Sequence, residues 1–246
     1  MITDVYAPGA NKYGLDIYND DNILTDINGD ANIKLDEGEW RGHRIVYKKY
    51  IKVINYSLGS APDVGKNYIT GNSCKNGNLL FLKDAVVVKA AGNDASYISN
   101  IKEGMRGFDD YAWANDKDIA PRLLLVGAID NDGNLAYYSN MPGDNPLIAN
   151  KFLLANDYSP YYDITINDNL SVSSGIGTSY AAPRVTAYAA ILRQKFPNLD
   201  ATQSANILLD TASHESLKCY PNCPSSKYGR GVTNLPRALA PVGSLR

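Results

Sequence analysis

Four short apolar runs are the feature of this 246-residue chain that most constrains its fold. They are rich in valine, leucine and isoleucine, and several are apolar at consecutive rather than alternate positions, which is typical of parallel strands covered by helices on both faces. Helix-like or loop segments separate them, so the pattern predicts an α/β layered domain with a mostly parallel sheet. The runs are KYGLDIY (12–18), KVINYSL (52–58), AVVVKAAG (85–92) and LLLVGAI (123–129).

Further elements follow from the same reading. The segment from Gly42 to Tyr50 directly precedes the second run and is predicted to be its crossover helix. KFLLA (151–155) and YDITI (162–166) are predicted to be shorter strands with turns. A helix is predicted to begin near Ser179 and to end at Pro197, because apolar residues recur at helical spacing at Val185, Ala189, Leu192 and Phe196.

That helix has a proline, Pro183, which we place in its first turn, where a missing N–H costs little. A second helix is predicted from Thr202 to Thr211, with Asp200 or Thr202 as its N-cap. A short helical piece is expected near the end of the chain, within 228–243.

Composition restricts the partners of the chain. Its formal net charge is −2, which gives no reason to expect nucleic acid as a partner. No apolar run approaches the ~20 residues of a membrane helix. The N-terminal residues lack a basic start and an apolar core, so no signal peptide is predicted in this chain. Cys219 and Cys223 flank a short turn and are candidates for a disulfide, a feature of oxidising compartments.

The stretch SSGIGTSYAAPRV (173–185) has the features of a nucleophile site. Gly177 permits an unusual backbone and the close approach of a substrate. Ser179 lies where the predicted helix starts, so free N–H groups and the positive end of the helix dipole are beside it. Such groups stabilise a developing oxyanion. The alternative is that Ser179 is only a helix cap.

GTSYAAP resembles the nucleophile motif Gly-Thr-Ser-x-Ala-x-Pro of the subtilisin-like serine proteases, the peptidase S8 family. Four more blocks resemble that family in the same order, so the resemblance runs from about residue 5 to about residue 243. They are YAPGANKYGLDIYN (6–19), VINYSLG (53–59), VVVKAAGND (86–94) and LLLVGAIDNDGNLAYYSN (123–140).

The resemblance implies a three-layer subtilisin-like fold and peptide-bond hydrolysis through an acyl-enzyme on Ser179. It implies that Asn93 donates to the oxyanion together with the backbone N–H of Ser179. The substrate-binding residues that it implies are Ser57, Leu58 and Gly59 on one wall of the S1 pocket and Ala90, Ala91 and Gly92 on the other.

The family's catalytic aspartate and histidine lie before the block that here begins at residue 6, so this chain is expected to start after both. His43, His214 and Asp4 do not match those motifs and are not assigned to a triad. The chain is therefore interpreted as a single partial catalytic domain over 1–246, lacking the N-terminal strands and helix that carry aspartate and histidine. A serine hydroxyl without a base is a poor nucleophile, so we expect the chain to be inactive alone.

The missing strand would lie between the first two apolar runs, and three outcomes are open. The two runs pair directly, a separate N-terminal fragment fills the gap, or the chain is a gene fragment that folds poorly. The different class of function that remains open is a non-catalytic, calcium-stabilised binding domain, a pseudoprotease.

DINGDANIKLDE (26–37) fits a twelve-residue calcium loop within an insertion at about 20–40. The oxygen donors at this spacing suit Ca²⁺, although position 6 is Ala31 where the sharp turn prefers glycine. The alternative is a polar surface turn. The predicted ligands are Asp26, Asn28, Asp30, Asn32 and Glu37.

The tail of the chain, YGRGVTNLPRALAPVG (228–243), resembles the end of protease domains in bacterial autotransporter subtilases. This resemblance implies a parent protein that is secreted or at the bacterial cell surface. The resemblance to the protease family implies a polypeptide substrate.

The calcium loop gives a direct test. We expect calorimetric titration with Ca²⁺ to give binding heat, and Glu37→Gln to weaken binding because a bidentate carboxylate is lost. Asp20→Asn, outside the loop, is the control and should bind like the parent. No heat from the parent, with Glu37→Gln indistinguishable from it, would remove the calcium site.

Overall fold

The structure is a computed structural model that describes residues 13–14, 25–26, 35–40, 43–48, 52–57, 83–164 and 170–240. The strands in this part of the chain are β1 (Tyr13–Gly14), β2 (Thr25–Asp26), β3 (Leu35–Trp40), β4 (His43–Lys48), β5 (Val53–Tyr56), β6 (Val86–Ala90), β7 (Leu123–Ile129), β8 (Phe152–Asn156), β9 (Ser159–Ile164) and β10 (Leu170–Gly175). The α-helices are α1 (Phe108–Ala114), α2 (Pro146–Ala149), α3 (Thr178–Lys195), α4 (Ala201–Asp210), α5 (Ser225–Tyr228) and α6 (Leu235–Ala238). Short 3₁₀ turns lie at Ile98–Asn100 and Ala120–Arg122.

A parallel sheet of four strands in the order β5-β6-β7-β8 is the centre of the domain. Every residue of β6 and of β7 is buried, as consecutive apolar positions predict for strands covered on both faces. The predicted strands at 52–58, 85–92, 123–129 and 151–155 are confirmed, and 162–166 overlaps β9.

Helices cover both faces of the sheet, which confirms the three-layer α/β class. On one face α3 and α4 bury Val185, Leu192 and Leu208 against the side chains of β6 and β7. On the other face Trp113 of α1 and Ile148 of α2 pack with the opposite side chains of the same strands. Because β5 and β6 are parallel neighbours, their carboxyl ends lie at the same edge of the sheet.

The two long helices begin and end close to where the sequence predicts. α4 is capped by Asp200, whose side chain accepts from the backbone N–H of Gln203, while the Gln203 side chain accepts from Asp200 N–H. Pro183 is the sixth residue of α3, so its predicted place in the first turn is wrong by one turn. No helix in the described ranges combines the length and the apolar character needed to cross a bilayer.

Two sequence predictions are corrected. The segment 42–50 contains β4 instead of a crossover helix, and β4 pairs antiparallel with β3, residue Trp40 opposite His43. The β-branched pair Ile45 and Val46 favours a strand here. Within 12–18 only Tyr13–Gly14 is described, and it pairs antiparallel with β2, so it is outside the parallel sheet.

The strand β5 is an edge of the four-stranded sheet as far as the structure describes it. Direct pairing of β1 with β5, one of the three outcomes open from sequence, is not observed among the described residues. The predicted disulfide between Cys219 and Cys223 is present, and the predicted short helix of the tail is α6.

Asp84, just before β6, joins three parts of the domain. Its carboxylate accepts from Arg193 of α3 at 2.9 Å and 3.1 Å, from the backbone N–H of Ala201 at 3.0 Å, and from Lys52 before β5. Partial burial raises the pKa of Asp84, but hydrogen bonds and charges from Lys52 and Arg193 outweigh it and leave the pKa below its usual value. The carboxylate therefore stabilises the fold above the usual aspartate pKa, and this stability is lost as the pH falls through the lowered pKa.

We expect Asp84→Ala to lower the free energy of unfolding by about 1–3 kcal/mol at pH 7, because the buried Arg193 loses its charged acceptor. Urea unfolding at pH 7 and pH 3 measures this. Asp84→Asn, which keeps one acceptor oxygen, is the matched control and should lose less. An Asp84→Ala variant that is as stable as the parent at pH 7 would contradict this role.

Candidate active site

The backbone around Gly177 places Ser179 at the start of α3. Gly177 has φ 146° and ψ 156°, a conformation that side chains oppose, so glycine is required at this turn from β10 into the helix. Thr178 and Ser179 are the first two helical residues. Their N–H groups have no earlier helical carbonyl to bond, which leaves them for other acceptors.

Ser179 and Ser57 hydrogen-bond to each other across the gap between α3 and β5. The Ser179 Oγ donates to the carbonyl oxygen of Ser57 at 3.3 Å, and the Ser57 Oγ donates to the carbonyl oxygen of Ser179 at 3.2 Å. Pro183 explains the second bond, because a helical residue at position 183 would normally donate its N–H to the carbonyl of Ser179 and proline has none. The proline in the motif thus frees a carbonyl that Ser57 binds.

Asn93 is oriented by Thr178. Its Oδ1 accepts from the backbone N–H and from the Oγ1 of Thr178, both at 2.9 Å. Since the backbone N–H is necessarily a donor, the amide oxygen must face Thr178 and the amide nitrogen Nδ2 must face away from it. No hydrogen-bond partner of Nδ2 lies among the described residues, so this donor is available to a ligand at the helix start.

The chain segment Ala90–Gly92 is held from two sides. Thr178 Oγ1 accepts from the backbone N–H of Gly92 at 3.1 Å. The buried Asn140 donates to the carbonyl of Ala91 at 2.8 Å and accepts from the N–H groups of Asp94 and Ser96 at 3.0 Å. A side chain at Gly92, which has φ 97°, would collide with the Asn140 amide at 2.4 Å. The turn after β6 is therefore rigidly positioned beside the start of α3.

A series of polar contacts connects Ser57 through Asn55 to Thr186 of α3. Thr186 of α3 contacts Asn55 Oδ1 at 3.1 Å, and Asn55 Nδ2 donates to Ser57 Oγ at 3.1 Å. On the other side of the turn, burial raises the pKa of the buried Asp157, and the backbone N–H of Gly177 partly offsets this rise. These contacts fix the backbone on both sides of Ser179.

The structure brings together six of the predicted site residues, namely Ser179, Asn93, the Ala90–Gly92 segment and, across the gap, Ser57. Leu58 and Gly59 lie outside the described residues. Sequence reasoning missed the contributions of Thr178, Asn140, Asn55 and Asp157. Thr178 was visible within the quoted motif, whereas nothing in the sequence marks the others as partners of the same turn.

The predicted calcium ligands lie largely outside the described part. Asp26 ends β2 and Glu37 is in β3, both described by their backbone alone, and Asn28, Asp30 and Asn32 are outside. His43 is in β4, while the Nε2 of His214 contacts the carbonyl of Gly229 at 3.2 Å. Among the side chains that the structure describes, no histidine or carboxylate hydrogen-bonds to the hydroxyl of Ser179.

Comparison with protein families gives a match to the Subtilase family, Peptidase S8, over residues 4–235. The match covers nearly the whole chain, together with the parallel sheet and the serine at the start of α3. This chain belongs to the subtilase family.

Individual relatives agree with this assignment. The chain is 29% identical to Subtilisin DY of Bacillus licheniformis over 195 residues, which are 76% of this chain and 57% of that protein. It is 29% identical over 143 residues to Mycosin-4 of Mycobacterium tuberculosis, covering 54% of this chain and 30% of that one.

Solved structures show the same fold. The prenylagaramide maturation protease PagA matches with a TM-score of 0.53 and 24% identity, covering 76% of this chain and 60% of that chain. A lanthipeptide protease matches with a TM-score of 0.54 and 18% identity, covering 76% of this chain and 62% of that one. The chain thus spans about 57–62% of the length of the subtilisin and of these two structures.

Thr178→Val tests the link between the two halves of the site. Valine keeps the shape but removes the hydroxyl that bonds Gly92 and Asn93, so we expect the free energy of unfolding to fall by about 1–3 kcal/mol. Urea unfolding measures this, and Thr178→Ser, which keeps the hydroxyl, is the matched control. Equal stability of the valine variant and the parent would show that this hydroxyl does not hold the site together.

Proposed function

We propose that this domain carries the nucleophile half of a serine endopeptidase and acts on polypeptides through an acyl-enzyme on Ser179. The observation that carries the proposal is the joint placement of three groups at the start of α3. They are the hydroxyl of Ser179, its backbone N–H, and the Nδ2 of Asn93, whose orientation Thr178 fixes. A hydroxyl beside two preoriented donors fits acyl transfer with a developing oxyanion.

The proposed reaction follows from these roles. The Ser179 oxygen attacks the carbonyl carbon of a peptide bond while its proton passes to a general base. The carbonyl oxygen becomes an oxyanion that accepts from Asn93 Nδ2 and Ser179 N–H. Collapse of the intermediate breaks the C–N bond, and the leaving amine takes the proton from the base. Water then attacks the ester carbonyl and gives a proton to the base. Collapse of this second intermediate releases the acid product, and the Ser179 oxygen takes the proton back from the base.

The segments Ser57–Gly59 and Ala90–Gly92 are proposed as the walls of the S1 pocket. Ser57 supports this by lying against Ser179 through the reciprocal hydrogen bonds described above. Gly59 and Gly92 have no side chain, which leaves room for the P1 side chain of a substrate.

The general base is proposed to come from outside the residues that the structure describes around Ser179. The chain contains only two histidines, and His214 is bonded to the Gly229 carbonyl. The Ser179 hydroxyl instead donates a hydrogen bond to the carbonyl of Ser57, and a carbonyl oxygen is too weak a base to remove the proton during attack. We propose that a separate N-terminal fragment supplies aspartate and histidine, and that these 246 residues are inactive without it.

A second function, a pseudoprotease that binds polypeptides without cleaving them, is favoured by the same hydrogen bond. A serine whose proton is directed to a backbone carbonyl is in a resting geometry. The cleft beside it would still offer the donors Asn93 Nδ2 and Ser179 N–H to a bound peptide carbonyl.

Calcium binding at 26–37 and a secreted or cell-surface location are proposed as well. All five proposed ligands offer oxygen, the donor that Ca²⁺ requires, and Ca²⁺ bound there would tie β2 to β3. The disulfide between Cys219 and Cys223 supports an oxidising compartment.

Labelling with a fluorophosphonate tests which function applies. Because the probe reacts with an activated serine, we expect little labelling of the chain alone and strong labelling once a subtilase N-terminal fragment with its Asp and His motifs is added. Intact mass spectrometry measures the adduct. Ser179→Ala is the control for the site of labelling, and Asn93→Ala should slow labelling in the mixture.

The outcomes separate the alternatives. Labelling of Ser179 only on mixing supports the split protease, and labelling of the chain alone contradicts the proposed need for a partner. No labelling in either case, with retained affinity for peptides, favours the pseudoprotease.

A further inference from the structure

Lys89 is completely buried next to the proposed substrate cleft. It is the fourth residue of β6, and its side chain has 0% exposure. It lies on the face of the sheet opposite α3, with Val87 and Ala91. A buried ammonium is costly unless it is paired with groups of opposite charge, so Lys89 requires such groups around it.

Two carboxylates and two aromatic rings surround the ammonium. Asp109 Oδ2 is 2.9 Å from Nζ and Asp110 Oδ1 is 3.1 Å from it, both in the first turn of α1. The Nζ also lies 5.0 Å from the ring centre of Tyr56 and 5.3 Å from that of Trp113. These two rings meet edge to face at 5.0 Å, so the ammonium joins β6, β5 and α1 in one cluster.

The cluster carries one positive group and two acids. Burial alone would lower the pKa of Lys89, but Asp110 and Asp109 outweigh it and raise the pKa, so the ammonium stays charged. Burial raises the pKa of Asp110 well above its usual value, and its contact to Nζ has ion-pair distance without hydrogen-bond geometry. Asp109 makes the shorter contact to Nζ, and its side chain is 12% exposed.

The position of this cluster links it to the site. Tyr56 is followed by Ser57, which bonds to Ser179, and Lys89 is followed by Ala90–Gly92. The two segments proposed as pocket walls are therefore the direct continuations of the two strands that the ammonium joins.

We propose that Lys89 is a positioning residue of the substrate cleft, whose ammonium holds Tyr56 and α1 against the end of β6 and so fixes the distance between Ser57 and Ala90–Gly92. We call this arrangement of Lys89, Asp109, Asp110, Tyr56 and Trp113 the clamp, and it rests on the contacts given above. Its consequence for peptide selection rests on the proposed function.

Amide hydrogen exchange of the full chain tests the clamp. The charge-balanced double variant Lys89→Met/Asp109→Asn removes one charge of each sign and keeps the volumes similar. It is preferred over Lys89→Met, which leaves both Asp109 and Asp110 without the cation. We expect exchange of segments 90–96 and 107–111 to rise about tenfold, which corresponds to about 1.4 kcal/mol of local stability. Leu124→Ala, in the core on the opposite face, controls for global loss of stability.

A second arm measures selectivity. Dissociation constants of blocked tetrapeptides that differ only in a P1 alanine, leucine or phenylalanine are measured by calorimetry. We expect the charge-balanced variant to change the ratio between these peptides about tenfold, while Leu124→Ala keeps the ratio of the parent. Failure of the parent to bind any peptide would contradict the proposed function. The hydrogen-exchange experiment would still test whether Lys89 holds the strand ends in place.

The two aspartates provide a matched pair. Asp110→Asn should lose less stability at pH 7 than Asp109→Asn, because Asp109 makes the shorter contact to the ammonium. Because burial raises the pKa of Asp110, the folded chain releases this proton at a higher pH than the unfolded chain does, so the stability of the parent falls as the pH rises above the usual aspartate pKa. Asp110→Asn should remove this slope in urea unfolding between pH 4 and pH 8.

Two results would overturn the proposal. Parent-like exchange of 90–96 in the charge-balanced variant would show that Lys89 does not hold the cleft. A rise in exchange that is spread evenly over the domain, as expected for Leu124→Ala, would show that Lys89 contributes only to global stability.

Discussion

The packing of α3 across the parallel sheet is the contact on which the rest of the structure depends. The helix lies against all four strands and buries Ala181, Val185, Ala189 and Leu192 in the larger core cluster. Alanines at the start of the helix allow its backbone to come close to the strand ends. Hydrophobic burial of this kind is non-directional, so it brings Ser179 near β5 and β6 but does not orient it.

Orientation comes from a small set of polar contacts. Thr178 binds both Gly92 and Asn93, Ser57 binds the carbonyl that Pro183 leaves free, and Asn140 secures the turn after β6. Each bond contributes about 1 kcal/mol to stability, little beside the core, yet together they decide where the donors point. A site for acyl transfer needs such preorganised donors more than it needs additional stability.

The same division applies to the buried charges. The buried Arg193 ties α3 to Asp84 at the start of β6, at the end of the sheet away from the site. Lys89 joins β5, β6 and α1 next to the site. Buried ion pairs often contribute little net stability compared with apolar residues of the same size, because removing the charges from water is costly. Their directionality is what distinguishes them, and at Lys89 it acts on the two strand ends beside Ser179.

The sequence by itself determined the α/β class, the parallel strands β5 to β8, the two long helices and the family. Consecutive apolar positions and helical periodicity are local properties of the chain and survive without its tertiary structure. Ser179 and Asn93 were also predicted, since both lie in short motifs. The strand β4 was missed because a short apolar-polar segment fits a helix or a strand, and its pairing with β3 decides between them.

Only the tertiary structure decided how distant residues share the site. Asn140 is 49 residues from Ala91, Ser57 is 122 residues from Ser179, and Lys89 meets acids from a different element. Such pairings depend on which strand lies beside which, and a single sequence does not encode that order locally. The motif around Ser179 thus predicted a nucleophile, whereas folding supplied the contacts that orient Ser179 and the buried charge beside it.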